Sequence, residues 1–484
     1  MKRVTPISVV VIFFLLSVKL LFAEVKLPAI LSSNMVLQRN ATVTLWGWSD
    51  AREKITITAS WLDKSVKIQE DSSGHWSTKV KTTNSKDAQT IEIKSYHSDF
   101  TLTNVLFGEV WLCSGQSNMQ MPIIGFGDQP VYGSVNAIAK SGNPNLRLFT
   151  VGRVGTRSPI DDIEKFTAWE QSSPENVKDF SAIAYFFGKQ LQEILNVPVG
   201  IIHSSWAGSS VEPWISKEVL SGYQEINIEK VNLQSANHVQ TALFNAMINP
   251  LIPYTIRGVL WYQGESNRNQ SEEYKKLFPA MVKDRRTRWG IGDFPFYYVQ
   301  IAPYLYGGND AFHEVSNSSF ILEAQLQCLD LIPNSGMVVT MDIGDEYSIH
   351  PPKKKEVAER LLYNALNKTY GINAIDCLGP EYISHEVKED GILLKFDNAE
   401  NGLCAYDGVK GFEIAGEDKI FYPAEAHIKF RAEVVLVKSN KVSKPVAVRY
   451  AWRNYITGTL FDTSMLPASS FRTDDWDFAT RAEK

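Results

Sequence analysis

The sequence predicts an α/β fold, a parallel sheet covered by helices, set between two smaller all-β regions. Between about Leu106 and Cys377, β-branched apolar runs alternate with stretches of helical periodicity, which is how a sheet buried on both faces reads. Before and after that section the apolar runs are short and separated by polar turns. Length agrees, because 484 residues exceed what one core usually organises. The expected divisions are a leader at 1–23, a β region at 24–105, the α/β section at 106–378 and a second β region at 379–484.

At the start, Lys2 and Arg3 precede the apolar run from Ile7 to Leu16, and small Ala23 offers a cleavage point. This pattern predicts an exported protein, periplasmic or extracellular, beginning near Glu24. Lys19 and Leu21 leave an uncleaved anchor as the alternative. No later stretch reaches the ~18 apolar residues of a membrane span.

The first β region is read from runs such as Thr44-Leu45-Trp46-Gly47-Trp48. The α/β section yields five strands, at 106–113, 197–203, 256–262, 294–302 and 337–341. Helices are expected at 181–195, where Ile183, Phe186, Phe187, Leu191 and Leu195 recur at helical spacing, at 272–288 and at 355–370. Strand patterns return after Pro380, as in Ile392-Leu393-Leu394-Lys395-Phe396.

Composition narrows the class of function. With 44% apolar and 21% charged residues the chain can bury a sizeable core. Its net charge of -5 is spread without long like-charged blocks, so nucleic acid is not an expected partner. Cys113, Cys328, Cys377 and Cys404 stand singly and far apart, without the paired spacing of a zinc or redox motif. Export permits a disulfide without requiring one, and Cys113, inside an apolar run, is expected to be a buried free thiol.

Four polar clusters follow four of the predicted strands, the edge at which open α/β sheets bind ligands. Gly115-Gln116-Ser117-Asn118-Met119 puts a serine on a glycine-containing strand-to-helix turn, where backbone donors favour developing negative charge. A plain helix cap is the alternative. Ser204 to Ser210 contains Gly208, whose bare N–H can approach a substrate oxygen, or is simply a flexible loop. Gln263-Gly264-Glu265-Ser266-Asn267 offers amides and a carboxylate for oxyanion stabilisation and for orienting a site. Asp342 to Pro351 sets His350 in a loop with Asp342 and Asp345, and imidazole accepts a serine proton near neutral pH when a carboxylate fixes its tautomer.

With these residues in view, the chain resembles the sialate O-acetylesterase family, a branch of the SGNH-type carbohydrate esterases. The likeness spans nearly the whole chain beyond the leader. It is carried by Met35-Val36-Leu37-Gln38-Arg39, by Gly108 to Met119, by Arg257 to Asn267, by Asp342 to Pro351 and by Leu466 to Asp474. The resemblance implies a flavodoxin-like, three-layer SGNH hydrolase core, with Ser117 as nucleophile, His350 as base and Asp342 as its orienter. In many SGNH enzymes the acid lies three residues before the histidine, where this chain has Tyr347, and Asp345 is the alternative orienter. Where the family often reads Gly-Gly-Thr, this chain has Ala207-Gly208-Ser209, which moves the oxyanion role to Gly208.

The expected chemistry is two-step acyl transfer through an acetyl-enzyme, with no metal or organic cofactor. The oxyanion donors would be the N–H groups of Ser117 and Gly208 with an amide of Gln263 or Asn267, and Glu265 would support them. The expected substrate is an O-acetylated carbohydrate, sialic acid first and xylan or another plant or host glycan as the alternative. A non-catalytic carbohydrate-binding protein is the rival of another class. Oligomeric state is not legible.

Overall fold

A computed structural model describes residues 25–49, 54–224, 226, 228, 232–306, 318–405, 407–429, 433–476, 480 and 481. The expected export segment and its cleavage point lie outside these residues.

Seven strands build the central sheet: β1 (Asp99–Gly115), β2 (Asn143–Val151), β3 (Phe166–Ser172), β4 (Val199–Ser205), β5 (Gly258–Tyr262), β6 (Phe296–Val299) and β7 (Ser335–Val338). Their order is β3-β2-β4-β1-β5-β6-β7, parallel throughout except for the antiparallel β3–β2 edge. The five strands expected from sequence are β1, β4, β5, β6 and β7, and among themselves they lie in the order 2-1-3-4-5. The chain therefore leaves β1 first to one side and later to the other, which puts the switch point, where open α/β sheets bind ligands, at the carboxyl end of β1.

β2 and β3 were not expected. Their sequences, Asn-Pro-Asn-Leu-Arg-Leu-Phe-Thr-Val and Phe-Thr-Ala-Trp-Glu-Gln-Ser, are interrupted by polar residues. Arg147 is buried in β2 because its guanidinium reaches Pro144 O, Asn34 and Asn104, partners that local pattern does not reveal. β7 also ends earlier than expected. It is an edge strand whose last pair is Val299–Val338, so beyond Val338 it has no neighbour to continue against.

The helices that position the site are α1 (Ser117–Gln120), α2 (Ala182–Leu195), α3 (Ser271–Trp289), α4 (Ser319–Leu331) and α5 (Lys354–Asn364). Ser181 caps α2 by accepting from Ala184 N–H at 3.2 Å. α5 ends at Asn364 and passes into a π-turn over Ala365–Thr369, which together nearly fill the expected 355–370.

Alternation along the strands divides the core into two layers. Trp111 and Cys113 of β1 and Leu260 and Tyr262 of β5 enter the layer packed by α2 and α5. Val110, Leu112, Val259 and Trp261 enter the opposite layer with Tyr274, Phe278 and Met281 of α3 and Ile321 and Leu322 of α4. Cys113 is fully buried, and the four cysteines are free thiols.

β1 also runs unbroken across the expected division at 105/106. Its first half pairs antiparallel with Gln89–Lys94, and Leu106 to Gly108 pair parallel with Val36–Gln38. At this amino edge Glu109 is buried among Arg39 Nε (2.6 Å), Arg257 Nε (2.7 Å), Gln38 Nε2 (3.1 Å) and Tyr370 OH (3.1 Å). Burial alone would raise its carboxyl, but the two guanidiniums hold it below the usual carboxylate range. The C-terminal β sheets dock on the far side, where Gly458 N–H donates to Met341 O at 2.8 Å and Gln300 Nε2 to Ser469 Oγ at 2.8 Å.

At the carboxyl end of β1, Gly115 has φ +138°, and a Cβ there would stand 2.1 Å from Tyr262 O on β5. Gly115→Ala is expected to lower stability by about 1–3 kcal/mol through forced separation of these strand ends. Thermal unfolding checks this, and a midpoint equal to the parent's would contradict it.

Candidate active site

The parallel register brings the first three clusters to one edge: Ser205 on β4 and Tyr262 on β5 both pair with Gly115. The fourth follows β7 through a turn at 341–343. Ser117 opens α1 directly beyond β1 and is largely buried. The turn before it is pinned by Gln116 N–H donating to Tyr262 O at 2.9 Å, while Gln116 Oε1 accepts from Gly264 and Ser266 N–H, each at 3.3 Å.

Asn118 connects this turn to the histidine. Its Nδ2 donates to Ile349 O at 3.1 Å and to Glu265 Oε1, and its Oδ1 accepts from Lys354 Nζ. The residue after Ser117 is thus bonded to the residue before His350. Glu265 and Lys354 are both buried, at 3% and 1% exposure. Burial raises the Glu265 carboxyl, opposed by its hydrogen bonds and by Lys354, and burial lowers the Lys354 ammonium to about 7, opposed by Glu265.

His350 sits edge-on to Phe126 with ring centres 5.2 Å apart, and its Nδ1 lies 2.7 Å from Gln129 Oε1. Its Nε2 is buried with no hydrogen-bond partner among the described residues. Burial lowers its pKa to about 4, with the charge of Lys354 adding to the effect, so the imidazole is neutral at pH 7. That is well below the ~6.5 of an imidazole in water.

The other expected residues are placed as follows. Asp342 gives both carboxylate oxygens to Arg360, at 2.7 and 2.6 Å, and not to the imidazole. Asp345 accepts from Tyr347 and Ser348 N–H, closing its own loop. Tyr347 is 82% exposed. Gly208 has φ +72°, and while Ala207 N–H donates to Gln120 Oε1 at 2.7 Å, Gly208 N–H has no partner among the described residues. Gln263 Nε2 is committed to Ser209 O (3.2 Å) and Asn267 Oδ1 (2.8 Å). Asn267 Nδ2 is held near Glu212, and its Oδ1 also accepts from Val211 N–H at 2.9 Å. These two amides therefore tie the segment after Gly208 to the end of β5, and their donors are already occupied. Among the described residues, no group of three or more His, Cys, Asp or Glu is gathered as a metal site.

Gln129, Arg360 and Lys354 were not singled out from sequence. Lys354 stands within Lys353-Lys354-Lys355, which reads as a solvated run, and only the helical phase of α5 turns its middle member inward. Gln129 carries no motif, and its role depends on a contact 221 residues distant.

A serine on the β1 turn, tied through its neighbour to a histidine loop at the carboxyl edge of a parallel sheet, defines the class as an α/β ester hydrolase. The model of the family described as carbohydrate esterase, sialic acid-specific acetylesterase, matches residues 107–365, and the chain belongs to that family. Sialate O-acetylesterase of Mus musculus is 27% identical, the match covering 90% of this chain and 92% of that one. The Homo sapiens sialate O-acetylesterase is 28% identical, over 88% and 87%. The crystal structure of a carbohydrate acetylesterase from Xanthomonas citri aligns with a TM-score of 0.85 at 31% identity, covering 93% of this chain and all of that one. The protein is an esterase with the deacetylating activity of its family.

Lys354→Met leaves the buried Asn118 Oδ1 without its donor and is expected to lower stability by about 1–3 kcal/mol. It also removes the positive charge that opposes protonation of His350, so the acid limb of the esterase rate should move to higher pH. Thermal unfolding and a pH–rate series on one preparation check both effects.

Proposed function

We propose that the protein removes O-acetyl groups from sialic acid by acyl transfer, with Ser117 as nucleophile and His350 as base. The observation that carries this reading is the Asn118 bridge, which joins the serine turn to the histidine loop while Nε2 of a neutral imidazole is left without a partner. His350 Nε2 takes the Ser117 hydroxyl proton as Oγ bonds to the acetyl carbonyl carbon. The tetrahedral intermediate then expels the sugar oxygen, which leaves with the proton from His350. Water attacks the acetyl-enzyme, His350 takes its proton and returns it to Ser117 Oγ, and acetate departs.

The N–H groups of Ser117 and Gly208 hold the oxyanion, each worth roughly 3–4 kcal/mol in comparable sites. Gln263 and Asn267 keep the Gly208 loop in place, and Glu265 supports Asn118. Asp342 acts at one remove, anchoring the start of the histidine loop to α5 through Arg360. The 2-1-3-4-5 strand order supports a flavodoxin-like, SGNH-type core. Sialic acid is supported by the family description and by the names of the mouse and human relatives. Export is supported by Lys2, Arg3, the apolar run after them and Ala23. No helix among the described residues is long and apolar enough to cross a membrane.

Ser117→Ala should lower turnover by at least about 10³-fold with an unchanged melting temperature, and near-parental turnover would refute the nucleophile. Because the base is active when neutral and burial has depressed its pKa, the rate should hold through pH 6.5 and fall only as pH approaches about 4. Acetate release from O-acetylated sialic acid compared with acetylated xylan decides the substrate, and faster release from xylan would replace sialate with a plant glycan.

A further inference from the structure

The segment after α1 turns back on itself at Phe126 to Gln129. Phe126 N–H donates to Gln129 O at 3.0 Å, Gln129 N–H donates to Phe126 O at 3.1 Å, and Asp128 takes φ +60° to close the turn. The turn is docked on the histidine loop at three points. Phe126 packs on the imidazole, Tyr132 N–H donates to Pro352 O at 3.0 Å, and Gln129 Oε1 lies 2.7 Å from His350 Nδ1. Gln129 is therefore presented by an anchored turn.

We propose that Gln129 is the positioning residue for His350, using a neutral amide oxygen where a Ser-His-Asp site uses a carboxylate. This rests on Ser117 and His350 being nucleophile and base. An amide oxygen accepts and does not donate, so the proton sits on Nδ1 and the Nε2 lone pair is left for the serine proton. Both neighbouring acids are engaged elsewhere, Asp342 by Arg360 and Asp345 by two backbone N–H groups. The charge that acts on the ring is that of Lys354 from α5, with Glu265 beyond it through Asn118, while Asp345, Glu346 and Lys353 are its charged neighbours in sequence and Asp128 precedes Gln129. None of these carboxylates has a hydrogen bond to the imidazole among the described residues, so an imidazolium has no anion paired to Nδ1.

The test uses the full chain with p-nitrophenyl acetate and an O-acetylated sugar, comparing Gln129→Met, Gln129→Glu and Asp342→Asn, with Ser117→Ala and His350→Ala as references. Gln129→Met keeps the side-chain length and loses the acceptor. Its kcat should fall about 10- to 100-fold, because the Nδ1-protonated ring loses the bond that favours it over the unproductive tautomer, with KM little changed. Gln129→Glu restores the acceptor and adds charge, so kcat should recover and the acid limb should move up by about 1–3 pH units. Nitrogen-15 spectra of the histidines should show a neutral, Nδ1-protonated ring in the parent and a mixed tautomer in Gln129→Met. Parental kcat in Gln129→Met, an unmoved acid limb in Gln129→Glu, or a larger kcat loss in Asp342→Asn than in Gln129→Met overturns the proposal while the references stay inactive. Parental turnover in Ser117→Ala or His350→Ala overturns instead the reading on which it rests.

Discussion

The active edge depends on the buried side chain of Asn118. An amide at 1% exposure must find its partners inside the protein, because leaving its donors and acceptor unpaired would cost more than the local backbone can supply. Its partners come from three separate places: Ile349 beside His350, Glu265 after β5, and Lys354 at the head of α5. The Asn118 amide is satisfied only when these elements converge on the α1 turn. The relative placement of Ser117 and His350 thus follows from a buried polar requirement, independent of any bond between the two.

A second buried network does the same work at the opposite edge of the sheet. Glu109 draws Gln38 and Arg39 of the first β region and Arg257 before β5 onto β1. These residues belong to the stretches that carry the family resemblance, yet they stand at the amino edge, away from the chemistry. The stretch of β1 that runs through the parallel sheet, Glu109 to Gly115, is therefore held at both ends, by a carboxylate between guanidiniums below and by an amide between unlike charges just above. That double fixation lets the carboxyl edge hold a buried imidazole nitrogen that has no partner among the described residues.

The five strands around the site were legible because each is apolar on both faces, with alternate residues entering two different cores. β2 and β3 were not, since their burial relies on long-range partners for Arg147 and on an edge position that tolerates polar residues. The four polar clusters were legible as a group because topology alone puts the carboxyl ends of parallel strands together. Individual roles were less so. The strand expected at 337–341 would have ended directly before Asp342, but pairing stops at Val338, and the carboxylate turns to Arg360 on α5. Gln263 and Asn267 were located at the right edge, while sequence could not show that Ser209 and Glu212 already occupied their donors.

The charges left in the site bear on where stabilisation acts. Lys354 and Glu265 form a buried pair that shares Asn118, and the imidazole faces an uncharged amide at Nδ1 and a nearby ammonium. In the resting state this arrangement disfavours an imidazolium. In the proposed mechanism the imidazolium forms only together with an oxyanion at the acetyl carbon, so each new charge meets its opposite at the moment it appears. A permanent carboxylate at Nδ1 would stabilise the charged ring both before and during reaction, whereas the paired oxyanion does so only in the transition state and the intermediate that follows. Stabilisation confined to that stage is the kind that accelerates the chemical step. Under the proposed mechanism the N–H donors at Ser117 and Gly208 must be held rigidly, and the buried amides of Gln263 and Asn267 do hold the segment directly after Gly208.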